Sequence, residues 1–124
     1  MTTVTAAIII KDNKVLIAKR AKNQKQAGKW EFPGGKLEPN EGLKECLKRE
    51  LKEELNIDIE VLDFFGESEY VYKQGFIKLI GYYAKWTGGE PMLSVHDEVR
   101  WVDKSDLASY DFAPADLPFV KMLD

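Results

Sequence analysis

Three glutamates, Glu50, Glu53 and Glu54, stand at i, i+3 and i+4 in a segment with helical periodicity that runs from about Leu43 to Leu55. That spacing turns all three toward one side of a helix. Like charges so placed repel, at about 0.3 kcal/mol per pair in an isolated helix. Leu43, Leu47 and Leu51 recur every four residues and mark the apolar stripe, with Cys46 and Leu55 on its flanks. Glu50 and Glu54 fall on or beside that stripe and Glu53 at its edge, whereas Lys44, Lys48 and Lys52 fall away from it. An ordinary Glu/Lys-rich surface helix would keep its acids on the solvent side. Acids beside a core need partners, because a buried unpaired charge is costly. A divalent cation among them answers that need. A glycine turn, Pro33-Gly34-Gly35, precedes the helix among basic residues. Together these parts point to a site for a metal-bound polyphosphate.

Gly35, Glu41, Arg49, Glu50, Leu51, Glu53, Glu54, Asn56 and Ile57 together resemble the Nudix box. Only its second glycine is missing, replaced by Asn56. That position ends the helix in a left-handed conformation, where Asn is the usual substitute. Lys29–Glu41 (KWEFPGGKLEPNE) and Phe112–Phe119 (FAPADLPF) extend the resemblance to MutT-type enzymes, including those acting on cytidine nucleotides. It covers essentially the whole chain.

The resemblance implies an α/β (α+β) Nudix fold, a mixed β-sheet in a three-layer α/β/α sandwich. It also implies an enzyme that cleaves a nucleoside triphosphate to monophosphate and pyrophosphate, with 8-oxo-dGTP or (d)CTP and its modified forms as substrates. By the same resemblance Glu50 and Glu54 are primary metal ligands, and Glu53 is a ligand or the base that activates water. The carbonyl of Gly35 or Gly34 completes the site, and Arg49 orients the acids and keeps them ionised. The implied ion is Mg2+, with Mn2+ as substitute, because phosphate and carboxylate oxygens suit it. Zinc is disfavoured: the chain has one histidine, His96, and no Cys/His cluster. Arg20 and Lys36 are the expected phosphate contacts. Asp97 and Glu98 are candidates for an additional acid, and a lone loop histidine such as His96 is more often incidental. Asp116, where the 8-oxoguanine enzyme of this branch carries Asn, is expected to contact the base, with Phe32 and Tyr72 stacking on it. An ionised Asp116 would only accept hydrogen bonds, whereas a protonated one could also donate. Two other readings stay open: a Nudix hydrolase of ADP-ribose or dinucleoside polyphosphates, and a non-catalytic nucleotide-sensing module.

The length of 124 residues suits one domain, 1–124. The net charge of −3 argues against a polymeric nucleic-acid partner. No apolar run is long enough to span a bilayer, and the N-terminus lacks the marks of a signal peptide. The single cysteine, Cys46, cannot form an internal disulfide and is expected to pack in the core of a cytoplasmic protein. A monomer or homodimer acting on a small nucleotide, with no membrane partner, is the expectation.

The remaining pattern predicts strands over Val4–Ile10 and Val15–Lys19, joined by an Asp12-Asn13 turn, and a short strand over Trp30–Phe32. Further strands are expected over Ile57–Phe65, Ser68–Tyr72, Phe76–Trp86 and Val99–Val102, with a hairpin turn at Lys73-Gln74-Gly75. Asp103–Ser109 resembles a short capped helix, and Pro114–Leu123 a terminal one.

Overall fold

The computed structural model describes residues 1–73 and 75–123. Strand β1 (Thr2–Lys11) organises it. The run Ala6–Ile9 is apolar at every position, as a strand covered on both faces must be. Ala6 and Ile8 pack into one core cluster, Ala7 and Ile9 into another, and none is more than 1% exposed. Strand β2 (Lys14–Arg20) follows across Asp12 and Asn13, both with positive φ (53° and 65°), the conformation that a tight hairpin between twisted strands requires.

Strand β3 (Trp30–Glu31) pairs with β2, and strand β4 (Gly34–Lys36) pairs antiparallel with β1 from Val4↔Lys36 to Ala6↔Gly34. Helix α1 (Leu43–Leu55) then leads to β5 (Asp58–Tyr72) and β6 (Gly75–Gly88). Strand β6 runs parallel to β1 and antiparallel to β5. Strand β7 (His96–Asp103) pairs with β2. Helix α1 buries Cys46, Leu47, Leu51 and Leu55 on one face of this mixed sheet. Helix α2 (Leu117–Leu123) buries Phe119, Val120 and Leu123 on the other. The result is the three-layer α/β/α sandwich with a mixed sheet. Among the described residues, no helix is long and apolar enough to cross a membrane.

Several boundaries differ from the sequence pattern. Residues 58–72 form one strand rather than two, because register shifts between Val61 and Phe64 and between Phe64 and Gly66 let the chain bend without ending its pairing. Pro33-Gly34-Gly35 is less a turn than the entry to β4: the Pro33 carbonyl accepts from Ala7 N–H at 2.7 Å, and Gly34 and Gly35 join the ladder. His96–Glu98 belongs to β7, not to a loop, because a bulge at Lys19/Arg20 carries the pairing on to Arg20↔His96. Lys104–Ser109 is a 3-10 helix without a side-chain cap, and Pro114–Asp116 is a 3-10 turn feeding α2. Gln74, centre of the expected hairpin turn, lies outside the described residues.

The end of α1 matches expectation. Asn56 adopts the left-handed conformation (φ 58°); its N–H donates to the Lys52 carbonyl at 3.0 Å and the Ile57 N–H to the Leu51 carbonyl at 3.4 Å. Its side-chain amide donates to the Glu90 carbonyl at 3.1 Å, and Met92 N–H bonds the Leu55 carbonyl at 2.9 Å. The segment before β7 is thereby fastened to the end of the helix.

Gly34 sits where β4 crosses closest to β1. A Cβ there would overlap the Thr5 carbonyl, which is backbone and cannot rotate away. Gly34→Ala is therefore expected to lower unfolding free energy by about 3 kcal/mol, the upper range for overpacking a rigid contact. Urea denaturation checks this; a midpoint equal to wild type would contradict the close approach.

Candidate active site

Helix α1 places its acids at different depths. The Glu50 side chain is 12% exposed and that of Glu53 56% exposed. The Glu50 carboxyl lies directly over Gly35, where any Cβ would overlap it. Gly35 thus leaves room for the Glu50 carboxyl against the backbone, and a side chain there would push that carboxyl aside. Its carbonyl accepts from Thr5 Oγ1 at 3.3 Å and weakly from Cys46 Sγ at 3.6 Å. Cys46 is buried, which raises its thiol pKa, and its contacts to Thr5 and to the carbonyls of Gly35 and Lys36 make it a packing residue.

Arg49 gathers the loop and the helix. Its Nε and Nη2 grip Glu41 in a two-point pair at 2.6 and 2.9 Å, and Nη1 reaches Glu50 at 2.8 Å and Glu53 at 3.2 Å. Nη2 also donates to the Lys36 carbonyl at 3.0 Å. The planar fork suits this many acceptors, as a lysine would not. Hydrogen bonding from Arg49 pulls the Glu41 pKa down to about 2, and Arg49 is itself pushed further up by Glu41, Glu50 and Glu53.

Glu54 is in the opposite condition. Its Oε1 is sealed from solvent and has no protein partner among the described residues. Burial, reinforced by the charges of Glu31 and Glu50, pushes its pKa up to about 8. An unsatisfied buried carboxylate oxygen beside two other carboxylates is a cation-binding donor set. Glu50 and Glu54 line this corner and offer carboxylate oxygens suited to a hard divalent ion, and the second lone pair of the Gly35 carbonyl is chemically suited to join them, whereas Glu53 is turned to Arg49.

A cavity of about 530 Å³ opens from these acids. Gly35, Lys36, Glu50 and Glu54 line it, together with Arg20, Phe32, Tyr72 and Asp116. Eight of the residues singled out from sequence thus share one enclosure, among them Arg20 and Tyr72, which are far apart in the chain. Asp116 is 5% exposed, and its Oδ2 accepts Phe32 N–H at 3.0 Å. Burial, then the Glu31 charge, raises its pKa well above the usual carboxylate value. The Tyr72 hydroxyl accepts Ala115 N–H at 3.0 Å, which holds the start of the Asp116 turn against β5. Phe32 is largely core: its ring lies 5.2 Å from that of Phe112 and 6.2 Å from that of Phe119.

Other expected residues lie elsewhere. Arg49 and Glu53 do not line the cavity; they stand behind and beside it on α1. Asp97 is exposed and Glu98 is taken up by Arg100, so neither of these two acids reaches the cavity. Two residues of the site were not singled out as such. Glu31 lines the cavity, and His96, fully buried, places Nε2 2.8 Å from Glu31 Oε2. Arg20 Nη1 stands 3.6 Å from the same oxygen. An acid between Trp30 and Phe32 was the available signal for Glu31. His96 had none, since its contact exists only once β3 and β7 flank β2.

The family model described as the NUDIX domain matches residues 1–123. The CTP pyrophosphohydrolase of Escherichia coli is 36% identical over 121 residues, covering 98% of this chain and 90% of that protein. The 8-oxo-dGTP diphosphatase of the same organism is 32% identical over 112 residues, covering 90% of this chain and 87% of that protein. The solution structure of the E. coli ORF135 protein superposes with a TM-score of 0.86 at 35% identity, over 98% of this chain and 87% of that one. The crystal structure of a MutT NUDIX hydrolase from Burkholderia pseudomallei gives a TM-score of 0.88 at 25% identity, over 99% and 98%. Box residues on α1, the sandwich around them and near full-length relatives at this identity place the chain in the Nudix hydrolase family.

Proposed function

We propose that the chain is a magnesium-dependent nucleoside triphosphate pyrophosphohydrolase acting on 8-oxo-dGTP, (d)CTP or their modified forms. The observation that carries this reading is the single cavity joining the acids of α1 to Asp116. A nucleotide laid along it sets phosphates against Glu50, Glu54, Lys36 and Arg20 and a base against Asp116 and Tyr72. The likeness to a CTP pyrophosphohydrolase and an 8-oxo-dGTP diphosphatase supports the substrate class.

A divalent ion held by Glu50, Glu54 and the Gly35 carbonyl would neutralise phosphate charge and lower the cost of a developing oxyanion. The chain's own residues do the rest. Arg20 and Lys36 bind and orient the phosphates. Arg49 fixes the rotamers of Glu50 and Glu53, so that their oxygens are in place before substrate arrives. Glu53, the most exposed acid of the three, accepts the proton of the attacking water. A P–O bond forms to that water oxygen, the anhydride P–O bond breaks, and pyrophosphate leaves.

Asp116 sets base preference. Burial and the Glu31 charge raise its pKa, and in its protonated form it donates with one oxygen and accepts with the other. That pair matches O6 and N7–H of 8-oxoguanine, whereas an ionised Asp matches the cytosine amino group. Asn at position 116 also donates and accepts but never ionises. Asp116→Asn is therefore expected to shift the ratio of kcat/KM for 8-oxo-dGTP over dCTP upward by about tenfold or more. Equal losses on both substrates would contradict this assignment.

The product assay tests the whole reading. Purified protein with Mg2+ is given 8-oxo-dGTP, dCTP, CTP and ADP-ribose separately. Monophosphate plus pyrophosphate from a triphosphate is the expected result. Preferential cleavage of ADP-ribose, or release of a nucleoside diphosphate plus orthophosphate, would contradict it.

A further inference from the structure

The buried corner where Glu31, Glu54 and His96 meet is not explained by nucleotide hydrolysis. One ligand-capable atom from each lies within 4.8 Å of the others. The His96 side chain is 0% exposed, and its Nε2 is directed at Glu31 Oε2. Its Nδ1, like Glu54 Oε1, is buried without a protein partner among the described residues. Two carboxylates this close in a low-dielectric corner repel. Arg20 Nη1, 3.6 Å from the Glu31 oxygen, offsets part of that repulsion as an ion pair without hydrogen-bonding it.

We propose that Glu31, Glu54 and His96 form a mixed nitrogen–oxygen site for a divalent transition-metal ion such as Mn2+ or Co2+. Two carboxylates and a neutral imidazole balance a double positive charge. An imidazole nitrogen favours first-row transition metals, while Mg2+ prefers oxygen ligands and retained waters. Glu31 and Glu54 line the cavity, so an ion enters from there and meets His96 at the back. Binding uses the Nε2 lone pair, with the ring proton on Nδ1, and replaces the Glu31–His96 hydrogen bond. The site adjoins the proposed Mg2+ ligands, shares Glu54 with them and rests on that reading only for the shared residue.

The test uses metal-free full-length protein and Mn2+ alone, without nucleotide. Pulsed EPR is expected to show 14N coupling from one imidazole in wild type and none in His96→Gln. His96→Gln and Glu31→Gln are each expected to weaken Mn2+ binding by about 10–100-fold. Mg2+ binding should change by less than about threefold in His96→Gln, which leaves every cavity-lining acid in place. Circular dichroism checks folding; if His96→Gln does not fold, the wild-type spectrum and the visible absorption of bound Co2+ decide. An all-oxygen shell without 14N coupling would overturn the site and leave His96 as a donor that orients Glu31. That result would leave triphosphate cleavage with Mg2+ untouched. Conversely, 14N coupling in a protein that cleaves no triphosphate would uphold this site while removing the proposed function.

Discussion

Glu54→Gln is expected to lower kcat with Mg2+ by about 10²–10³-fold, the scale on which removing one preorganised charge-stabilising group acts. The same substitution is expected to stabilise the metal-free protein at alkaline pH. The Glu54 pKa is raised from 4.5 to about 8 in the fold, so the folded chain keeps a proton that the unfolded chain has released. Stability of wild type therefore falls as pH rises from 4.5 to about 8, and the full penalty is present above that window. Below 4.5 both states are protonated and the penalty vanishes. Glutamine carries no such penalty. With chelator present, thermal melts at alkaline pH should place the variant above wild type by roughly 5 °C, about 1 kcal/mol, and the gap should close in mild acid. Adding Mg2+ should raise the wild-type melting temperature and leave the variant's unchanged. A variant less stable than wild type in chelator would show that Glu54 is a structural acid, not one poised for a cation.

Arg49→Ala carries the second large effect. It removes the fork that joins Glu41 on the loop to Glu50 and Glu53 on α1. The Arg49 side chain is 24% exposed, so water screens part of the interaction. A loss of about 2 kcal/mol is expected, within the range for hydrogen bonds to charged groups. The acids would repel without it, and kcat should fall roughly 100-fold, because the oxygens would no longer be in place for the phosphates. Arg49→Lys keeps a charge but not the two-point geometry, and should lie between. Urea midpoints and kcat measured on both variants check this. An Arg49→Lys protein indistinguishable from wild type would mean that charge alone suffices and the fork does not matter.

The two effects have opposite signs in stability because the two residues stand at opposite ends of one electrostatic arrangement. Arg49 satisfies the acids that face the loop, while Glu54 is left unsatisfied toward the cavity. Active sites commonly hold such destabilised groups at a cost to the fold.

The contrast also explains what the sequence could show. Spacing within one helix is enough to bring Glu50 and Glu54 to one cavity, because the helical repeat is fixed, while Glu53 at the edge of that face turns to Arg49. The same holds for Asn56, whose place just past the last leucine foretells its left-handed backbone. The apolar run of β1 foretold a strand with two covered faces. Contacts set by tertiary pairing were harder. Glu31 and His96 are 65 residues apart and meet only because β3 and β7 lie on either side of β2. Asp97 and Glu98 looked available as loop acids, but a one-residue bulge keeps them in β7, where Arg100 takes up Glu98. The division of residues 58–72 into two strands failed for a related reason: bulges interrupt the alternation without ending the strand.

A crystal structure with Mg2+ and a non-cleavable triphosphate analogue tests the central claim most directly. The account predicts density for the ion between the carboxylates of Glu50 and Glu54, phosphates beside Arg20 and Lys36, and the base at Asp116. Phosphates bound elsewhere, with those two carboxylates facing only water, would contradict it.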